Sequence, residues 1–178
     1  LAAKNKAADC IFGNKSTPAS PIVKLYVADE SKVETFNTKF ANDYSHIVVY
    51  DNLVGSGWTL ADFTFDEATG TITGWSEAGH AKRATLKALV LPDKTPEGNT
   101  VVAVGDNAFK IPDDEVVITK FGIDSPEGMT SVVIPSTVTK LGEKAFAQNA
   151  LTEVDLTGLT EIGARAFYGN DLVKAIIP

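Results

Sequence analysis

Met129 to Pro178 reads MTSVVIPSTVTKLGEKAFAQNALTEVDLTGLTEIGARAFYGNDLVKAIIP, one pattern written twice and then begun again. Val132-Val133-Ile134-Pro135, Lys140-Leu141-Gly142-Glu143-Lys144-Ala145-Phe146 and Asn149 return as Val154-Asp155-Leu156, Glu161-Ile162-Gly163-Ala164-Arg165-Ala166-Phe167 and Asn170. Gly142 and Gly163, Phe146 and Phe167, Asn149 and Asn170, Leu151 and Leu172 are each 21 positions apart. A fixed period in the low twenties is the signature of stacked repeats that cannot bury their apolar edges singly.

Within a unit, Leu151, Val154 and Leu156 have the spacing that sends alternate side chains of a short strand into one core, which turns Glu153 and Asp155 outward. Pro135 ends the preceding strand because it has no N–H for a ladder. Gly142 and Gly163 are expected at a tight bend, Ala145 and Ala166 at a close approach, and Phe146 and Phe167 in the space between the two faces. Asn149 and Asn170 fall where the chain turns back, suited to left-handed dihedrals or to hydrogen bonds with the backbone.

These stretches resemble the BspA-like bacterial leucine-rich repeat family, whose repeat runs approximately L-x-x-V-x-I-P-x-x-V-x-x-I-G-x-x-A-F-x-x-C/N. The resemblance covers Met129–Pro178 and extends to Leu86–Lys110 through Leu86, Leu89, Leu91-Pro92, Val104-Gly105 and Ala108-Phe109. That earlier copy departs from the pattern in its longer spacer after Pro92 and in Pro112, which stands where Asn149 and Asn170 stand later. The resemblance implies a β-rich α/β leucine-rich-repeat solenoid with short helices on the convex side. It also implies a non-catalytic binding module of a bacterial cell-surface or secreted protein, adhesin-like, meeting host or matrix proteins or carbohydrate.

Upstream, Ile22–Val27 and His46–Asp51 read as strands. Asp29–Ala41 reads as an amphipathic helix with Asp29 or Ser31 as N-cap and Val33, Phe36, Phe40 and Tyr44 on one side. This is a βαβ-type segment, and by resemblance the closing cap of a preceding array. Gly55-Ser56-Gly57 marks a boundary, so residues 1–58 form one domain and residues 59–178 another. The second holds repeats at 86–128 with an insertion, 129–150, 151–171 and a truncated 172–178. Asp62–Phe65 and Thr71–Trp75 alternate around a glycine-containing loop and predict a hairpin that caps the strand at Leu86–Leu91. Between Phe109 and Met129 lie 19 residues against four between Phe146 and Leu151, so Ile111–Gly128 is an insertion. Insertions in repeat arrays map to loops on one face.

Charge narrows the function. The formal net charge is −7, and all of it lies beyond residue 58, where ten basic groups face seventeen acidic ones. With no basic stripe to neutralise phosphates, nucleic acid is not an expected partner. The longest apolar runs fall far short of the roughly 20 residues that span a bilayer. The start lacks both an initiator Met and a charged-then-apolar leader, so the sequence reads as an internal or mature fragment. Cys10, the single cysteine, reads as a small buried residue, and Asn14-Lys15-Ser16 is a formal glycosylation sequon. His46 and His80 have no neighbours that make a triad or a zinc site, and no two carboxylates are set apart in an apolar pocket, so neither catalysis nor a metal or other cofactor is expected.

What remains is surface. Stacked strands would bring Ala88 and Val90, Ser131 and Val133, Glu153 and Asp155, and Lys174 and Ile176 into two outward columns, the candidate binding face. In the insertion, Asp113, Asp114 and Glu115 are a candidate site for a cation or a basic partner. The columns are mixed in charge and lack aromatics, which a plain solvated sheet face would also explain. Two alternatives stay beside the binding module: a passive spacer projecting another domain from the cell wall, and an accessory domain of a surface enzyme. The third copy stops within its strand, which predicts edge-to-edge self-association there.

Overall fold

The computed structural model describes residues 23–27, 31–40, 46–119, 122–124 and 126–177. The chain divides into two compact units, Leu1–Gly55 and Ser56–Pro178. Cys10 and Asn14 lie outside the described residues, as do the side chains of Phe36, Phe40, Tyr44 and His46.

In the first unit, β1 (Val23–Val27) and β2 (His46–Tyr50) pair in parallel from Val23↔His46 to Val27↔Tyr50, and α1 (Ser31–Phe40) connects them. Two parallel strands cannot be joined by a tight turn, so a helical crossover is the short solution. The ladder continues one residue past β2, where Asp51 N–H donates to Val27 O at 3.0 Å, and Leu53 is buried just beyond.

The two units meet within the Gly55-Ser56-Gly57 stretch. Trp58, the last residue assigned to the first domain from the sequence, is 2% exposed and packs beside Phe63 and Trp75, and its indole N–H donates to Ala88 O at 2.7 Å. The division therefore falls between Gly55 and Ser56. A short 3-10 turn at Leu60–Asp62 leads into β3 (Phe63–Asp66) and β4 (Thr71–Trp75), an antiparallel hairpin. After α2 (Glu77–Lys82), N-capped by Ser76, come β5 (Ala88–Val90) and β6 (Ala103–Val104). The insertion forms a small antiparallel hairpin, β7 (Val117–Thr119) and β8 (Gly122–Asp124), where the sequence had suggested loops. Then follow β9 (Ser131–Val133), β10 (Lys140–Leu141), β11 (Glu153–Asp155), β12 (Glu161–Ile162) and β13 (Lys174–Ile176).

Pairing follows the repeat. β12, β10, β6, β4 and β3 form one sheet in that order, parallel except for the β3–β4 hairpin, with Lys140 opposite both Ala103 and Glu161. β5 pairs with β9, and β11 with β13, both in parallel. The β3–β4 hairpin therefore extends the sheet of second strands through β6. It does not pair with the strand at Leu86–Leu91, as the sequence had suggested; the indole of Trp58 takes the carbonyl of Ala88 there.

The segments between strands also differ from expectation. Where short helices were expected beside each repeat, residues 143–148 and 164–169 are turns, and no helix lies beyond α2 among the described residues. Each turn is too tight for a helix because it must lie directly on the next. An added Cβ at Gly163 would sit 2.4 Å from the carbonyl carbon of Gly142, and one at Gly142 would sit 2.5 Å from the backbone nitrogen of Asp106. Neither glycine has a positive φ. Their requirement is close approach, where a bend had been expected.

The aromatic side chains of successive turns stack into one column. Phe109 and Phe146 lie 5.4 Å apart at 16°, Phe146 and Phe167 5.6 Å apart at 6°, and Trp75 meets Phe109 edge-on at 4.8 Å. Around the column Leu89, Leu91, Val104, Ala145 and Leu151 are buried. A second column is polar. Asn149 is 2% exposed; its Oδ1 accepts from Met129 N–H at 2.9 Å, and its Nδ2 donates to the carbonyls of Phe109 and Phe146. Asn170 repeats this on Leu151 N–H and the carbonyls of Phe146 and Phe167. The left-handed dihedrals fall one residue earlier, at Gln148 and Gly169, so the asparagines serve as hydrogen-bonding plugs between neighbouring repeats.

Candidate binding face

Parallel registration sets the outward residues in rows. Ala88 stands opposite Ser131 and Val90 opposite Val133; Glu153 stands opposite Lys174 and Asp155 opposite Ile176. Leu89 and Val154 between them point inward and are buried. On the outward side Val133 is 57% and Ile176 42% exposed. Lys174 Nζ lies 2.9 Å from Glu153 Oε2, an exposed pair that contributes little to stability. The Asp155 carboxylate is held below the usual range by the backbone N–H of Thr157, then by the Thr157 hydroxyl, with Lys174 adding to both.

The columns are not one continuous sheet. β9 and β11 are neighbours, yet the β5–β9 and β11–β13 ladders are separate. Between them open two adjoining clefts, one of about 530 Å³ above Val133, Pro135, Asp155, Thr157 and Gly158, and one of about 360 Å³ at Ser131, Val132, Glu153 and Ile176. Of the eight candidate residues, Ser131, Val133, Glu153, Asp155 and Ile176 meet at these clefts, whereas Ala88, Val90 and Lys174 lie outside them. The sequence reading missed Pro135, Thr157 and Gly158. Their signal was present, since Pro135 and Thr157 each follow the last outward residue of their strand by two positions.

The acidic triplet is dispersed. Asp113 pairs with Lys110 at 2.9 Å, Glu115 contacts the guanidinium of Arg83, and Asp114 is exposed. Lys110, then the side-chain amide of Gln148, holds the Asp113 carboxyl below its usual range. Arg83 has a 4% exposed side chain, donates also to Glu127 O at 3.1 Å, and meets His80 Nε2 at 2.8 Å. These contacts fasten both ends of the insertion to the end of α2, a task for which nothing in the sequence around Arg83 gave a sign. Two of the three acids are thus neutralised from within, and no group of three His, Cys, Asp or Glu able to hold a metal occurs among the described residues. His80 belongs to this fastening. No helix among the described residues is long and apolar enough to cross a membrane.

In comparison with known families, a model described as BspA type leucine rich repeat region (6 copies) matches residues 118–178. No curated protein and no solved structure matches the chain.

Proposed function

We propose that this chain, whose residues 118–178 match the model of a BspA type leucine rich repeat region, is a non-catalytic binding module of a bacterial cell-surface or secreted protein, taking host or matrix protein through its strand face. Leucine-rich repeats are interaction modules, and extended stacked faces are how such arrays meet partners. The observation that carries the reading is the pair of clefts between β9 and β11, rimmed by exposed Val133 and by ionised Asp155. An apolar side chain beside a recess with a few fixed polar groups is the composition of a recognition site. Val133 beside the recess is the apolar side chain a partner would cover.

The test is saturable binding of the purified chain to a panel of immobilised matrix proteins. Val133→Glu, on the exposed side of β9, should leave the melting temperature within a degree or two and weaken capture by roughly tenfold or more, as loss of a central apolar anchor does. Absence of saturable binding across the panel favours the spacer.

A further inference from the structure

A third cleft lies on the turn side of the repeats, away from the strand face. It has a volume of about 280 Å³ and is lined by Lys110, Asp113, Lys144, Gln148, Arg165 and Tyr168. Two features set it apart. In a chain with 16 basic and 23 acidic residues, three cations here face one carboxylate. And Gln148, 7% exposed, has an unpartnered side-chain oxygen: its amide nitrogen serves Asp113 while Oε1 accepts no hydrogen bond. A buried acceptor left without a donor is costly, and native structures seldom keep one without a use.

The cations differ in commitment. Lys110 is paired with Asp113 at 2.9 Å and Lys144 with Glu143 at 3.0 Å, whereas Arg165 is exposed and makes no ion pair among the described residues. Lys144, Gln148 and Arg165 all have left-handed backbones, with φ of 53°, 61° and 58°. That conformation is uncommon outside glycine and belongs to the repeat, since Asn107 shares it in the preceding turn; the three side chains, from two successive turns, all line the cleft. Tyr168 at the rim is 57% exposed.

We propose that this cleft binds a hexuronic acid unit of an acidic polysaccharide. The sugar carboxylate accepts from Arg165 and Lys144, a ring hydroxyl donates to the Asp113 carboxylate, and the apolar face of the ring packs on Tyr168; Gln148 Oε1, closed to solvent in the free chain, receives a second hydroxyl only when its side chain turns toward the cleft. Each group supplies what the site lacks. A sulfate satisfies the cations but offers no donor to Gln148 and repels Asp113, and a hydrogen phosphate adds only its own acidic hydroxyl and no apolar face for Tyr168. A neutral sugar satisfies Gln148 and leaves Arg165 unmatched. The volume, just under the ~300–1,000 Å³ of sites for drug-sized ligands, suits a single ring. The proposal rests on the reading of the chain as a binding module, but not on its strand face.

The experiment is calorimetric titration of the whole chain with a hexuronic acid oligosaccharide, a neutral oligosaccharide of equal length, an aspartate-rich peptide and inorganic phosphate. Saturable binding of the hexuronate alone, weakening as salt rises, is expected. Arg165→Asn keeps a residue at home in the left-handed region, and Tyr168→Ala removes the platform; each should weaken binding roughly tenfold. Gln148→Met should weaken it too, with Asp113 retained. Hexuronate binding that is absent, or unchanged in both R165N and Y168A, overturns the proposal. So does equal binding of the peptide, or displacement by phosphate at matched charge, either of which makes the cleft a general anion site. Val133→Glu should leave hexuronate binding intact, so failure of the strand-face reading and failure of this one are separable.

Discussion

At the scale of single residues, buried polar groups carry most of the specificity. Asn149 satisfies one N–H and two carbonyls from three chain segments, in a place that no water reaches. Removing it strands those groups, so Asn149→Ala should destabilise the second unit by roughly 2–4 kcal/mol in urea unfolding. Asn170→Ala, at a half-buried position, should cost about half as much. Asp62 behaves similarly. Burial alone would raise its pKa, but the Lys82 ammonium and the N–H and hydroxyl of Thr59 outweigh that and hold the carboxyl below its usual range. Because the folded pKa is the lower one, the carboxylate stabilises the fold fully above the unfolded value near pH 4, and that contribution disappears as pH falls through the folded pKa. Melting temperature should therefore hold from neutrality to about pH 5 and decline below about pH 4, with Asp62→Asn flattening part of the decline. The roles of Asn149 and Asn170 were half visible in the sequence, as residues for a turn. Each has a local carbonyl three residues back, but the partners in other repeats come from 19 to 40 positions away, and no local pattern announces those.

At the scale of elements, each repeat is a strand, a second short strand and a turn whose phenylalanine joins the column. Phe146 is stacked on both sides and fully buried, whereas Phe167 is half-buried with Phe146 on one side. Phe146→Ala should cost about 3–5 kcal/mol and Phe167→Ala distinctly less, measured by denaturant midpoints at constant m-value. The column was legible because its members recur at a fixed offset. The turns in place of helices were not. The sequence shows a glycine and an alanine in each repeat but not that the glycine Cα rests against the backbone of the preceding turn, which leaves no room for a helix. The hairpin was legible as a hairpin from its alternation, but its partner was not, because β4 offers an edge that either β5 or β6 could have taken.

At the scale of the whole molecule, the ring column runs unbroken from Trp75 to Phe167, so the hairpin and the repeats share one core. Hydrogen exchange should accordingly protect β4, β6 and β10 with the same opening free energy, as expected of stacked units coupled through their interfaces; separate opening of β4 would mean the hairpin is only appended. The family match begins at residue 118, yet the same geometry reaches back to β5 and Phe109. The earlier copy departs most in spacer length and in Pro112, and those departures fall between the shared contacts. By itself the sequence determined the repeat, its period, and the inward side of β5 and β11, because these depend on the local alternation of apolar and polar side chains. Only the tertiary structure decided where the stacked ladders part between β9 and β11, how the acids of the insertion are neutralised by Arg83 and Lys110, and that Gln148, Arg165 and Tyr168 share a cleft. Each of those depends on residues of different repeats meeting in space, and the energy of such meetings is not encoded in the spacing of any one of them.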